Sequence, residues 1–291
     1  MADTHTWTGA ISGDWSEANN WDIGAVPEAT DSVVLIDNAV SITEGLDQSA
    51  IALVNVHIDA SYTGTIGTTG SYLQLDADIT YIGRQDGVGP FTGSSQLKLD
   101  FGANSGAIYV FSTATRASGN PPPVIIKAAN NGATLSVYAG SVGVATNYPG
   151  DTTTLQTVNV GQYGGAASAA EVILASGTTT TSVVLYSGTA YAKGTHTGIT
   201  MNDGVLTLDS VANLTTVAIY GGTAYLDGWQ TITTLTMYGG SIDTSRRHPA
   251  TARQITNTQI YKGVTSFKAY SAMANDLDIK EALTLTAVKM D

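Results

Sequence analysis

The sequence predicts an all-β fold in which parallel strands stack as a β-helix, or solenoid, and two observations indicate it. The first is an internal repeat: residues 186–194 read YSGTAYAKG, residues 220–228 read YGGTAYLDG, and related units lie between and after them. Four such units follow one another at intervals of 16, 18 and 18 residues when they are aligned on Gly188, Gly204, Gly222 and Gly240. A fixed period of this length indicates a stack of similar units, none of which can bury its apolar face alone.

The second observation is a composition typical of short strands joined by tight turns. Charged residues make up 12% of the chain, while Gly, Thr, Ser and Ala are abundant. Many segments alternate apolar and polar residues over about four to eight positions, which is the period of half-buried strands. Helical patterning is nearly absent, and we expect a helix only around residues 272–282.

Net charge and cysteine content exclude several classes of function. The formal net charge of −12 argues against binding to a nucleic-acid backbone, which requires a positive surface. The chain contains no cysteine, so it uses neither disulfides nor thiolate metal sites. No apolar run approaches the roughly 18 residues of a membrane span, and the N-terminus lacks the features of a secretory signal. We therefore expect no nucleic acid and no membrane as partners, and a protein that stays in the cytoplasm where it is made or leaves it by a route other than an N-terminal signal.

Three segments are distinguished along the chain: 1–48, 49–245 and 246–291. The first carries three of the four tryptophans, Trp7, Trp15 and Trp21, between turn-forming glycines. Large aromatic residues close to a chain end suit a cap that covers the open end of a stack. Tryptophans exposed at the same positions could instead bind sugars by stacking. The second segment is the predicted stack.

The C-terminal segment, 246–291, differs from the stack in composition and charge. Glycine nearly disappears, and seven of the 12 Lys and Arg residues lie here. We expect this segment to cap the last rung or to dock on an acidic partner, which another copy of the chain could supply. Assembly contacts are therefore predicted for the three tryptophans and for Arg246, Arg247 and Arg253.

Stacking places equivalent residues of successive rungs about 4.8 Å apart, so the repeat predicts columns of side chains. The columns are Tyr186, Asn202, Tyr220 and Tyr238; Tyr191, Thr207 and Tyr225; and Lys193, Asp209 and Asp227. Stacked tyrosines either pack on one another or form a strip that binds sugar. The pair of aspartates resembles the two carboxylates of a glycosidase, although the lysine offers them a charge partner. We predict binding, and no catalysis, for Tyr191, Tyr225, Asp209 and Asp227.

No other pattern predicts a metal, a cofactor or catalysis. The four histidines lack zinc-ligand spacing, and motifs for phosphate binding or an activated serine are absent. Asp59, Asp76 and Asp78 could hold calcium on a loop, but no EF-hand pattern supports it. We expect no cofactor, no metal and no enzyme activity, with a polysaccharide-degrading activity left open.

The N-terminal residues carry a resemblance to known proteins. Residues 7–35, WTGAISGDWSEANNWDIGAVPEATDSVVL, resemble the W-x-G…W…NW…G…P…D-x-V opening of parallel β-helix regions in autotransporter-like bacterial surface proteins and in phage structural proteins. Residues 61–83 are similar to segments of phage virion proteins. The resemblance implies a right-handed parallel β-helix and carries no catalytic residues. The autotransporter branch has a signal peptide and usually a membrane anchor, so the phage branch fits better.

On this resemblance we expect a phage virion structural protein, specifically a capsid decoration (cement) protein that binds the head surface and stabilises it. Its partners are then the major capsid protein or another virion protein, and further copies of itself. A trimer suits the three-fold sites of a capsid. The expected location is the virion, after assembly in the host cytoplasm. Two alternatives stay open: a tail fibre or spike that binds or cleaves host polysaccharide, and a bacterial surface adhesin.

Overall fold

A computed structural model describes residues 2–83, 96–147, 150–161, 170–228, 230–244, 253–266, 271–273, 277–279 and 284–285, with the backbone alone for Arg253 and after Gly263. Within these residues the chain is all-β, with 24 strands and one 3-10 helix, Ala18–Asn20. It forms two compact units, Met1–Gln156 and Thr157–Asp291. The division falls inside the predicted stack, and the boundaries predicted near residues 48 and 245 stay predictions.

The first unit is built from two parallel ladders. Its strands are β1 (Thr4–Thr6), β2 (Ser32–Leu35), β3 (Asp47–Ile58), β4 (Leu73–Ile82), β5 (Leu97–Asp100), β6 (Ala107–Val110), β7 (Val124–Lys127), β8 (Thr134–Val137) and β9 (Gly140–Val144). One ladder runs β1–β2–β3–β4–β6–β8. The other starts on the first half of β4 and runs β4–β5–β7–β9. Strand β10 (Thr153–Val160) contains the division between the units.

The second unit repeats the same two-strand rung with greater regularity. Its strands are β11 (Ala170–Leu174), β12 (Thr178–Leu185), β13 (Thr189–Ala192), β14 (Thr195–Met201), β15 (Val205–Leu208), β16 (Leu214–Ile219), β17 (Thr223–Leu226), β18 (Ile232–Met237), β19 (Ser241–Asp243), β20 (Arg253–Ile260), β21 (Val264–Ser266), β22 (Ser271–Met273), β23 (Leu277–Ile279) and β24 (Thr284–Leu285). We call the parallel ladder β11–β13–β15–β17–β19–β21 sheet A. The parallel ladder β12–β14–β16–β18–β20 is sheet B. Consecutive strands alternate between the two parallel ladders, and this arrangement is consistent with the predicted solenoid.

The apolar core of the second unit consists of side chains that point inward from both sheets. Successive strands of sheet B contribute the fully buried column Leu185, Met201, Ile219, Met237 and Ile260. Sheet A contributes the buried column Ala190, Leu206, Ala224 and Ile242. Each fully buried large aliphatic side chain stabilises the fold by about 1.5–3 kcal/mol, so the alternating pattern fixes the strand register.

The strand register confirms the alignment of the four glycines. The residues that follow them pair across sheet A as Thr189, Val205, Thr223 and Ser241. All four glycines have positive φ, between 73° and 93°, a conformation that side chains rarely adopt. The first interval is 16 residues because the turn from β13 to β14 is shorter than the turn from β15 to β16.

The C-terminal strands continue the ladders of the second unit. Strand β20 pairs with β18, and β22 and β23 both pair with β20. The expectation of a helix around residues 272–282 is therefore wrong for the residues that β22 and β23 contain. As strands, these residues form backbone hydrogen bonds with β20. A short helix without tertiary packing would be only marginally stable.

Candidate functional site

Sheet A carries the two tyrosines predicted to bind a ligand. Tyr191, Thr207 and Tyr225 pair across β13, β15 and β17, and Asp243 follows on β19. The side chains of both tyrosines are half-buried. With one rung between them, the two positions lie about 10 Å apart along the stack.

The two predicted aspartates lie at the end of the same strands. The backbone N–H of Asp209 donates to Ala192 O at 2.9 Å, and that of Asp227 donates to Leu208 O at 2.8 Å, so both occupy one position on successive rungs. Asp209 is half-buried, whereas Asp227 is 6% exposed and therefore the less accessible of the two. The geometry thus brings all four predicted residues to the C-terminal ends of neighbouring strands of sheet A, and their binding role stays a prediction.

A second tyrosine column lies where successive strands of sheet B end, and the structure adds one residue to it. The rings of Tyr220 and Tyr238 stack at 4.6 Å and 10°, and those of Tyr238 and Tyr261 stack at 4.9 Å and 8°. The sequence does not predict Tyr261 in this column, because the 23-residue step from Tyr238 breaks the repeat. Since the rings cover each other's faces, sugar stacking on the inner ring is blocked. On the inner ring, Tyr238, the ring edge and the hydroxyl group remain accessible, and the side chain is 42% exposed. Tyr220, at one end of the stack, is 50% exposed.

The three predicted cap tryptophans form one buried cluster. Trp7 and Trp21 meet edge to face at 5.2 Å, and Trp15 and Trp21 do so at 4.8 Å. Each is at most 2% exposed, so the alternative of sugar stacking on exposed tryptophans is wrong. A partner would contact the surface around the cluster, and an assembly role for this region stays a prediction.

Assembly contacts are also predicted for three arginines. Arg246 and Arg247 lie outside the described residues, and Arg253 is described by its backbone as the first residue of β20. Their role stays a prediction.

The remaining residues of the N-terminal motif hold loops together by hydrogen bonds. Asn20 is fully buried, and its Oδ1 accepts from the backbone N–H groups of Ile11 and Ser12 at 2.8 and 3.0 Å. Its Nδ2 donates to Asp14 O at 2.8 Å. Gly9 has φ 56°, and a Cβ there would collide with the side chain of Val40. Each of these residues therefore has a structural role.

Asp31 connects the first strand to the loop that follows the tryptophans. One carboxylate oxygen accepts from the backbone N–H of Asp3 at 2.9 Å. The other accepts from the backbone N–H of Glu28 at 2.9 Å and lies 2.9 Å from His5 Nε2. These backbone N–H groups, that of Asp3 first, hold the pKa of the Asp31 carboxyl below its ordinary value of 3.8.

We expect Asp31→Asn to lower the free energy of unfolding by about 2 kcal/mol at neutral pH. The amide replaces one accepting oxygen by a donor, which faces other donors in a site that is 6% exposed. The carboxylate stabilises the fold above pH 3.8, and this contribution is lost as pH falls through the lowered pKa. Urea unfolding of both proteins from pH 7 to pH 3 should show the difference shrinking at the acidic end; a constant difference would contradict the assigned role.

The first unit contains a charged cluster that the sequence did not indicate. Tyr72 Oη donates to Asp151 Oδ2 at 2.6 Å, and Lys127 Nζ lies 3.4 Å from Asp100 Oδ2 and 3.8 Å from Asp151 Oδ1. The same ammonium group lies 5.0 Å from the centre of the Tyr72 ring. The Lys127 cation thus contacts two carboxylates and an aromatic ring, and these contacts hold the side chains of the cluster together. We therefore interpret the cluster as one that stabilises the fold.

Replacing Lys127 by methionine should lower the free energy of unfolding by about 1–2 kcal/mol, because Asp100 and Asp151 then lose the cation that both contact. The matched control is Lys193→Met, since Lys193 is exposed on the second unit and should change stability little. Thermal unfolding of the two variants compares them directly. Equal losses would show that the cluster contributes nothing specific.

The three aspartates considered for calcium do not come together. Asp59 accepts from Ser61 N at 2.9 Å and from Ser61 Oγ at 2.8 Å, while Asp76 lines an open groove of about 350 Å³ with Ser49 and Asn104. Among the described residues no group of three or more His, Cys, Asp or Glu side chains is placed to hold a metal ion. In the same residues no helix is long and apolar enough to cross a membrane.

Fold and surfaces together define an all-β chain of parallel ladders, with polar and aromatic columns on its outer faces. No protein-family model matches this chain, and neither curated proteins nor solved structures gave a match.

Proposed function

We propose that this chain is a structural protein of a phage virion, and that it acts as a decoration protein on the head surface. Its body is a right-handed parallel β-helix with the tryptophan cluster as the N-terminal cap and with residues 246–291 as a distinct end segment. Its partners are the major capsid protein or another virion protein, and further copies of the chain.

The observation that carries the proposal is the role of the N-terminal motif, which gives the chain its resemblance to phage and surface β-helix proteins. The tryptophans are buried against one another, and Asn20 and Asp31 bind backbone groups of the surrounding loops. These residues of the motif therefore stabilise the N-terminal loops. Within each unit the parallel ladders pair the backbone groups of successive strands, which suits a protein that reinforces a shell.

Immunogold electron microscopy of native phage particles tests this proposal. The antibody should be raised against residues 49–245, and we expect gold label spread over the heads. Label confined to tail tips, or to the surface of bacteria, would overturn the decoration role. Particles labelled with an antibody to the major capsid protein provide the control for access to the head surface.

A polysaccharide-binding tail spike or adhesin is the second candidate, and one observation favours it. Tyr191 and Tyr225 lie two rungs apart on sheet A with Thr207 between them, and Asp209 and Asp227 lie at the ends of the same strands. Both tyrosines and Asp209 are half-buried, whereas Asp227 is 6% exposed, so the two rings and the Asp209 carboxylate are the groups that a linear glycan would contact.

A glycan array probed with the purified chain tests the second candidate. If sheet A binds sugar, Tyr225→Ala should abolish the signal, and the stacked Tyr238→Ala should leave it unchanged. Binding that both variants retain, or its absence in the parent protein, would reject a glycan site at these strand ends.

A further inference from the structure

The five strands of sheet B contain no aspartate or glutamate, although the chain has a formal net charge of −12. Strands β6, β8 and β10 of the chain share this property. The charged residue of sheet B is Arg253 at the start of β20, and the one histidine, His196, is buried. The other described charged residues of the second unit lie on sheet A, in turns, or on β23, which pairs with β20: Glu171, Lys193, Asp203, Asp209, Asp227, Asp243, Lys262 and Asp278.

Hydroxyl groups and aromatic edges take the place of charge on the outer face of sheet B. The register aligns five threonines in a single column across β12, β14, β16, β18 and β20: Thr181, Thr197, Thr215, Thr233 and Thr256. The first four are exposed. The stacked tyrosines flank the same face, with Tyr220 50% and Tyr238 42% exposed. The face therefore offers methyl groups, hydroxyls and ring edges on a regular parallel sheet.

We propose that the outer face of sheet B pairs with the same face of a second copy of this chain. Two acidic chains repel each other wherever their carboxylates meet, so a face without acids allows two copies to approach closely. Five strands about 4.8 Å apart and about seven residues long cover about 550 Å² in plan. With the relief of the side chains, this approaches the roughly 800 Å² per partner of a stable interface. Pairing of one face with itself is isologous and gives a two-fold dimer.

Sedimentation of the purified full chain tests the proposal without any virion component, so its failure and that of the virion placement are distinguishable. We expect the parent protein to sediment as a dimer of the 30.0 kDa chain. Thr197→Glu combined with Thr233→Glu introduces carboxylates two rungs apart at exposed positions of the face, and should weaken dimerisation about 100-fold or more. Val205→Glu with Ser241→Glu adds the same charges two rungs apart on sheet A and should leave the dimer intact. A monomeric parent, or equal effects of the two pairs, would overturn the proposal.

Salt dependence separates this interface from docking of the basic C-terminal segment on an acidic body. An interface between faces that carry no carboxylate should hold or tighten as NaCl rises from about 0.05 to about 0.5 M, because salt screens the residual repulsion. A contact made by Arg246 or Arg247, which lie outside the five strands, should weaken over the same range. Dissociation by salt would therefore reject pairing through sheet B.

Cross-linking gives a second readout because the chain contains no cysteine. Thr215 lies on β16, the central strand of the five, so Thr215→Cys should give a covalent dimer with a short bismaleimide. Val205→Cys, which is 37% exposed at its position on sheet A, is the matched control and should stay monomeric on a denaturing gel. Equal cross-linking of both variants would contradict the proposed face.

Discussion

Gly222→Val is expected to lower the free energy of unfolding by about 4 kcal/mol and to reduce the thermal midpoint accordingly. Gly222 has φ 76°, which a β-branched residue adopts only under strain. A Cβ at this position would lie 2.5 Å from Met201 Cε and 2.7 Å from Gly204 N, and closer still to Gly204 O. Because two of these atoms belong to the backbone of the preceding rung, the rung itself would have to move.

The matched control for this variant is Gly119→Val. Gly119 has a similar φ of 85°, but a Cβ there would meet no atom within 4 Å. It therefore carries the backbone strain without the collision, and we expect a loss of about 1–2 kcal/mol. Differential scanning calorimetry gives the thermal midpoint of each variant, and the difference between the two midpoints measures the cost of the collision between rungs. Equal midpoints would contradict the alignment of Gly222 over Gly204.

Acidification from pH 6.5 to pH 4 is expected to lower the stability of the protein by about 3 kcal/mol through His196 alone. The side chain of His196 is fully buried on β14, where Nδ1 lies 2.9 Å from Thr180 Oγ1. Nε2 has no hydrogen-bond partner among the described residues. Burial lowers the pKa of His196 from 6.5 to about 4, because the cation would be desolvated.

The direction of this effect follows from where the proton binds. Between pH 6.5 and pH 4 the unfolded chain is protonated at this histidine and the folded chain is neutral, so stability rises with pH in that window. Above pH 6.5 the full stability is present.

A variant without the histidine isolates its contribution. His196→Leu combined with Thr180→Val removes both members of the hydrogen-bonded pair, so no buried polar group is left alone. Guanidinium unfolding from pH 7 to pH 4 should give the parent the steeper pH dependence, with carboxylates contributing equally to both proteins. Parallel pH profiles would show that His196 is not neutral in the folded state.

The repeat predicted the second unit well because the features that define a rung are local. A glycine with positive φ and an alternating strand recur within about 18 residues, so the columns of Tyr191 and of Asp209 could be aligned from the sequence alone. His196 gave no such signal. Only its alignment with the inward-facing Thr180 reveals that it is buried, and this requires the register of β12 with β14.

The cluster around Lys127 could not be predicted for a different reason. Tyr72 and Asp151 are 79 residues apart in sequence, and the rungs between them have unequal lengths. Without a constant period, the sequence does not indicate which residues become neighbours across rungs. The helix expected near residue 272 failed because composition describes local preference, whereas pairing on β20 decides the outcome.

The strand register of the second unit also limits which insertions and deletions the chain can tolerate. Strands β15 and β16 form a rung equivalent to β17 and β18, with identical positions of glycine, core residue and outward residue. Removal of a segment such as 205–222 would join equivalent ends and keep every remaining side chain on its own face. A deletion of one residue inside a strand would turn all residues beyond it to the opposite face. Insertions and deletions tolerated by such a chain therefore come in whole rungs or fall in the turns.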